Sequence, residues 1–92
     1  GVRRVARYRR NRLRLAGVML DEKAYDEALA QLEAKHALAM AAQYAALKGD
    51  VLVAKGSTAE AKAAYRLALE KSDERSGAFR ASVQLRLDAL GG

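Results

Sequence analysis

Seven arginines stand within the first fourteen residues of this 92-residue chain, and no acidic residue occurs among its first twenty. They are Arg3, Arg4, Arg7, Arg9, Arg10, Arg12 and Arg14. Guanidinium groups at this density can neutralise phosphates and give a salt-sensitive attraction to nucleic acid or anionic lipid. The whole chain carries +6 and this segment +7, so the remainder is close to neutral at −1. The basic character therefore belongs to one segment.

Three interpretations of the arginines stay open. They could form a solvated or inter-repeat helix face with their aliphatic stems packed down, contact anionic lipid or an acidic partner, or bind nucleic acid. Proteins that bind single strands place aromatic residues against the bases, whereas this chain has only four Tyr and one Phe. Nucleic acid is therefore the least favoured partner. The predicted basic face consists of Arg3, Arg4, Arg7 and Arg14.

The other residues with chemical potential are too isolated to predict catalysis. The chain has no Cys, which excludes thiolate chemistry and disulfides within it, and a single His, which disfavours a triad or a His-based metal site. We expect His36 at the C-terminal end of a helix, where cations are favoured. Asp50 has no identifiable partner base for proton exchange. The sequence predicts no catalytic residue, no metal site, no cofactor and no enzymatic activity.

Helices must position all of these residues. Alanine is the most frequent amino acid and proline is absent, a composition that favours helix throughout. Apolar spacing predicts five helices: about 2–20, a second from about 25, 38–54, 58–70 and a last one to about 90. Lys55-Gly56 predicts a helix end, and Ser57 with Glu60 predicts a capping box. No apolar run approaches the roughly 20 residues that span a bilayer.

A constant offset of 33 residues, the repeat offset, superposes two helical hairpins along the sequence, with small residues matching small ones and large residues matching large ones. The pairs are Ala16 with Gly49, Ala28 with Ala61, Met19 with Leu52, and Leu32 with Tyr65. Small residues fit where helices cross, and hairpins this thin must stack to bury their faces. This repeat offset and its pattern resemble the tetratricopeptide repeat. We therefore expect an all-α, tetratricopeptide-like right-handed superhelix of antiparallel helix pairs, with about five helices.

The expected organisation is a single domain over 1–92, with one repeat at 9–41, a second at 42–74 and a closing helix at 76–90. The chain begins Gly-Val rather than with Met, and the helical pattern starts at once, so we expect a piece of a longer protein. The large aromatic residue usual early in each first helix is missing, because Arg12 and Ala45 stand there. The repeats are therefore degenerate.

Several motifs in order resemble the C-terminal part of the YfgM-like family, an ancillary subunit of the bacterial SecYEG translocon. They are Arg12–Ala16, Tyr25–Leu29, Tyr44–Gly56, Ala61–Leu69 and Leu85–Leu90. The resemblance implies one membrane anchor upstream of this chain and a repeat domain on the periplasmic face of the bacterial inner membrane. It also implies two protein partners, translocon subunits and a periplasmic chaperone.

The first helix of each pair lines the concave surface of a tetratricopeptide stack. By spacing, the exposed positions of that surface are Arg10, Leu13, Gly17, Leu20, Gln43, Ala46, Asp50, Val53, Phe79 and Val83. Its apolar centre suits a helical or extended unfolded client segment. Alternatively, Leu20, Val53, Phe79 and Val83 are covered by neighbouring helices or by a sister chain.

The sequence thus predicts a non-catalytic protein–protein interaction scaffold. The alternative is a nucleic-acid or anionic-surface binding module that acts through the arginine-rich helix. The residues leave open which protein partner binds and whether the chain forms a homodimer.

Overall fold

The computed structural model describes residues 11–92, and in that part the chain is helical without strands. The helices are α1 (Arg12–Asp21), α2 (Tyr25–Leu32), α3 (Ala41–Lys55), α4 (Thr58–Lys71) and α5 (Gly77–Ala89). A 3₁₀ turn at Leu38–Met40 precedes α3, which therefore begins later than predicted, at Ala41 instead of Leu38. The predicted all-α class is confirmed. The portion of the first predicted helix before residue 11 lies outside the described residues.

The helices form two hairpins and a closing helix. α1 packs on α2, α3 packs on α4, and α3 also contacts both helices of the first hairpin. α5 packs against α4. The assignment of repeats to 9–41 and 42–74 stays a prediction.

The helices α1, α3 and α5 end in the same backbone geometry. Lys23, Gly56 and Gly91 take left-handed conformations, with φ of 63°, 90° and 90°. The following amide then donates to the carbonyl five positions back: Ala24 to Met19 at 2.8 Å, Ser57 to Leu52 at 2.8 Å and Gly92 to Leu87 at 3.1 Å. The interval from Lys23 to Gly56 equals the repeat offset, whereas the interval from Gly56 to Gly91 is two positions longer.

The residues that the repeat offset pairs are buried, as the pattern predicts. The helices α3 and α4 approach closely at Gly49, where a Cβ atom would lie 2.4 Å from the Tyr65 ring. A side chain at Gly49 would therefore collide with the ring. In the first hairpin, Ala16 and Leu32 occupy the corresponding positions and belong to one buried cluster.

Of the three apolar clusters in the described residues, two join one element of the array to the next over many contacts, and the third, Leu52, Ala61 and Ala64, lies within the second hairpin. The first joins the α1–α2 hairpin to Tyr44 and Val51 of α3. The second joins Ala46 and Tyr65 of the second hairpin to Val83 and Leu87 of α5, together with Ala45 and Ala68. Each hairpin thus buries its apolar face against the next element, as thin stacked hairpins require.

The capping box predicted at Ser57 and Glu60 is wrong. The Ser57 side chain makes no capping hydrogen bond. In a capping box, the Glu60 side chain would accept a hydrogen bond from the Ser57 backbone N–H. That N–H already donates to the Leu52 carbonyl at 2.8 Å. The helix-end geometry at Gly56 therefore uses the donor that a capping box needs. Among the described helices, none has the length and apolar character to cross a membrane.

Candidate protein-binding surface

Val83 and Ala46 were expected on the exposed concave surface, and both are buried. The reason for Val83 is the interval between α3 and α5, which exceeds the repeat offset by two positions. Two positions turn a helix by about 200°, so Val83 faces the core. Ala46 is buried because it packs in the cluster that contains Val83 and Leu87 of α5. With the observed interval, Ala81 and Leu85 are the counterparts of Ala46 and Asp50.

The predicted positions on α1 contribute little exposed area. Leu13 and Leu20 are half-buried and pack against the first apolar cluster. Gly17 is also half-buried. Arg10 lies outside the described residues.

The predicted basic face is described at one residue only. Arg3, Arg4 and Arg7 lie outside the described residues. The Arg14 side chain is exposed, and its backbone N–H donates to Asn11 Oδ1 at 3.1 Å, which caps α1. The hypothesis of a basic binding face therefore stays a prediction.

Gln43 and Phe79, two of the predicted concave residues, line a common cleft, but only Gln43 is exposed, because Phe79 is half-buried against the second apolar cluster. It has a volume of about 420 Å³ and lies between the start of α3 and the α4–α5 connection. Its lining residues are Leu38, Ala39, Ala42, Gln43, Lys71, Ser72, Asp73, Ser76 and Phe79. Leu38 is 88% exposed. Val53 of α3 is also exposed, at 40%, but does not line the cleft.

Hydrogen bonds fix the α4–α5 connection that forms one wall of this cleft. The Arg80 guanidinium donates to the Leu69 carbonyl at 2.7 Å and also to Ser72 Oγ. Asp73 accepts from the backbone N–H of Arg75 at 2.8 Å and from its Nη2 at 3.1 Å. These hydrogen bonds from Arg75 hold the pKa of the Asp73 carboxyl below its ordinary value. The wall is thus held in place before a ligand arrives.

The Asp50 carboxylate links α3 to α4 and α5 through hydrogen bonds. It accepts from the Tyr65 hydroxyl at 2.6 Å and from Arg86 Nη1 at 2.9 Å to each oxygen. The Arg86 guanidinium also lies 5.6 Å from the centroid of the Tyr65 ring. Burial, followed by the hydrogen bond to Asp50, raises the pKa of the Tyr65 hydroxyl far above its ordinary value. The carboxylate therefore fastens α5 to the second hairpin.

His36 is not at the end of a helix, since α2 ends at Leu32. It lies in the α2–α3 connection and stacks on Tyr44, with ring centroids 4.1 Å apart. Its Nδ1 lies 3.0 Å from the Ala34 carbonyl, which accepts the hydrogen bond. Within residues 11–92, no group of three acidic or histidine side chains could hold a metal ion.

Comparison with protein families supports this helical-hairpin architecture. A family model described as a tetratricopeptide repeat-like domain matches residues 5–92. The chain belongs to this tetratricopeptide repeat-like family. The fold is accordingly that of a protein–protein interaction scaffold. Neither the curated proteins nor the solved structures include a significant match.

In this tetratricopeptide repeat-like array, α1 pairs with α2 and α3 pairs with α4, and α5 follows the second pair. Sequence reasoning missed two features of the candidate binding surface. Arg86 was missed because its proximity to Asp50 depends on the interval between α3 and α5, which is two positions longer than the repeat offset. Leu38 was missed because it was predicted as the first residue of a helix over 38–54, whereas it lies in a 3₁₀ turn and is exposed.

Proposed function

We propose that this protein binds a segment of another protein in the cleft between α3 and the α4–α5 connection, without catalysis. The observation that carries the proposal is the exposure of Leu38, at 88%, beside a cleft that Phe79 also lines. Large exposed apolar side chains beside a concavity are typical of interaction sites. The polar groups of Gln43, Ser76 and Lys71 would orient the bound segment.

Magnitudes indicate that the partner must cover more than the cleft. Burying one leucine or phenylalanine side chain contributes about 1.5–3 kcal/mol. Phe79 is already half-buried against the second apolar cluster, so it has less area left to bury than Leu38. Association costs at least about 4 kcal/mol in lost translational and rotational freedom, so these two residues alone give weak binding. A partner that also covers Val53 on α3 gains further apolar area. We therefore favour a helical or extended unfolded client segment that lies along the concave side of α3.

We further propose that the chain is the repeat domain of a membrane-anchored protein at the bacterial inner membrane, facing the periplasm. Translocon subunits and a periplasmic chaperone are its proposed partners. The support is the ordered set of motifs that resembles the YfgM-like family over nearly the whole chain. The anchor would lie upstream of Gly1.

Photo-crosslinking in bacterial cells tests the binding site. A photoreactive residue replaces Leu38, Phe79 or Val53 in separate variants, and replaces Glu27 on α2 in the control. Glu27 is exposed but lies on α2, and it does not line the cleft. We expect the same protein adduct from Leu38 and Phe79, a related one from Val53 and none from Glu27. The proposal fails if Leu38 and Phe79 give no adduct, or if Glu27 gives the same adduct.

Thiol labelling tests the proposed compartment. The chain has no cysteine, so Ala59→Cys introduces an exposed thiol in a cysteine-free background, and Ala61→Cys supplies a fully buried control. A maleimide that cannot cross the inner membrane should label the Ala59→Cys variant in intact spheroplasts and leave the Ala61→Cys variant unlabelled until unfolding. Labelling of the Ala59→Cys variant only after lysis of the inner membrane would refute a periplasmic domain.

A further inference from the structure

Helix α2 is shorter than α4, its counterpart in the second hairpin, with 8 residues against 14. The two helices begin at corresponding positions, Tyr25 and Thr58, which differ by the repeat offset. α4 runs to Lys71, whose counterpart in the first hairpin is Leu38. The chain over 33–38 has no glycine or proline, and five of its six residues are good helix formers. Local preference therefore does not explain the early end of α2.

The position of Lys35 in the array explains it. Lys35 corresponds to Ala68 of α4, which is fully buried and packs against α5. A helical continuation of α2 would therefore turn the Lys35 side chain into the contact between α2 and α3. Lysine is almost never fully buried without a partner of opposite charge, and Glu33, the nearest acid in the sequence, is bound to Lys48 at 2.7 Å. Because α2 ends at Leu32, Lys35 stays exposed.

His36 stabilises the non-helical form of the same segment. Its ring stacks on Tyr44 of α3, and its Nδ1 donates to the Ala34 carbonyl at 3.0 Å. In an α-helix that carbonyl would accept from the backbone N–H of Leu38. Ala37 is extended, with φ of −66° and ψ of 144°, and lies outside the helical region. The next residue, Leu38, therefore enters the 3₁₀ turn beside the cleft instead of a last turn of α2.

We infer that Lys35 and His36 are positioning residues that stop α2 at Leu32 and so place Leu38 beside the cleft. Lys35 excludes the helical continuation, because burial of its charge opposes it, and His36 stabilises the alternative. Neither residue lines the cleft, so both act through Leu38. The role of Leu38 in binding rests on the proposed function, whereas the end of α2 can be measured without any partner.

NMR chemical shifts of the backbone carbons over 33–38 measure whether this segment is helical. The test variant combines Lys35→Met with His36→Ala, and the matched control combines Lys35→Arg with His36→Ala. Methionine, arginine and lysine have similar helix propensities, so the two variants differ in the charge at position 35. We expect helical shifts in the test variant and non-helical shifts in the control. Lys35→Met alone should give smaller helical shifts, because the His36 stack remains.

Adding Ala37→Pro to the test variant should restore the non-helical form. Proline fixes φ at about −65°, close to the observed value at Ala37, and it ends a helix before the preceding residue. Unmodified shifts over 33–38 in the test variant would overturn the inference, and so would a control that becomes equally helical. Equal helicity in Lys35→Met alone and in the test variant would refute the role of His36.

Photo-crosslinking from Leu38 tests the consequence for binding. In the test variant the adduct should fall by at least about fivefold, because only the non-helical fraction presents position 38 to the cleft, and Ala37→Pro should restore it. An unchanged adduct from a helical segment would refute the positioning role and leave the cleft intact as a binding site. No adduct from Leu38 or Phe79 in the otherwise unmodified chain would refute the proposed function and with it the role in binding. The NMR comparison would still decide what ends α2.

Discussion

Gly49 of α3 lies beneath the ring of Tyr65, and its replacement by alanine tests how closely the helices of the second hairpin approach. The new Cβ atom would lie 2.4 Å from Tyr65 Cε1, 2.5 Å from Cδ1 and 2.9 Å from Cζ. Ordinary contact begins at 3.4 Å, so the ring or the helix must move. The ring is buried, and its hydroxyl is bound to Asp50 at 2.6 Å. It is therefore not free to swing away.

Opposing effects set the magnitude of this change. Alanine is favoured over glycine inside a helix by about 1 kcal/mol. Overpacking a buried site costs about 1–3 kcal/mol, and losing a hydrogen bond to a charged group costs about 1.5–3 kcal/mol. We therefore expect Gly49→Ala to lower the free energy of unfolding by roughly 2–5 kcal/mol, a large fraction of the stability of a small domain.

Urea denaturation followed by circular dichroism measures the effect, with Gly17→Ala as the matched control. Gly17 lies inside α1, and no described atom is within 4 Å of the Cβ that alanine would add. This control should stabilise the protein by up to about 1 kcal/mol. If Gly49→Ala is as well tolerated as Gly17→Ala, the close crossing is refuted. Adding Tyr65→Leu to Gly49→Ala recreates the Ala16–Leu32 pair of the first hairpin and should recover part of the loss.

Three other predictions concern polar contacts. Tyr65→Phe removes the hydrogen bond to Asp50 and should lower the free energy of unfolding by about 1–3 kcal/mol in urea denaturation; no change would show that this bond adds nothing. A double-mutant cycle of Arg86→Met and Asp50→Asn should give a coupling of about 0.5–1 kcal/mol that falls with added salt, since the pair is about one-third exposed; a coupling near zero at low salt would contradict it. By NMR titration, Asp73 should have a pKa below 3.8 that Arg75→Ala raises, because that variant removes the side-chain hydrogen bond that lowers it; an unchanged pKa in the variant would argue against this pairing. The lowered pKa contributes stability at pH values above the unfolded-state pKa, and this contribution is lost as the pH falls through the folded-state pKa.

Most of the helical architecture followed from local features of the sequence. The repeat offset, which pairs Ala16 with Gly49 and Leu32 with Tyr65, placed both hairpin crossings correctly, because packing at a crossing depends on side-chain size. The helix end at Gly56 was also predicted, since glycine tolerates the left-handed conformation. These features reflect interactions within one hairpin or between neighbours at constant spacing.

The orientation of α5 could not be predicted in the same way. It depends on the length and shape of the α4–α5 connection, which Arg80 and Asp73 fix through contacts with backbone and side-chain groups. Assuming the same offset for α5 therefore turned Val83 outward and concealed the pairing of Arg86 with Asp50. No periodic pattern within a single helix carries this information.

The turn between α1 and α2 has a consequence for the order in which the array opens. Lys23 adopts the left-handed conformation there, with φ of 63°, where Gly56 serves in the next hairpin. That conformation costs a residue with a side chain roughly 1–2 kcal/mol, and α2 is shorter than α4, with 8 residues against 14. Amide hydrogens of α2 should therefore exchange with solvent sooner than those of α4, and unravelling should travel from the first hairpin towards the second.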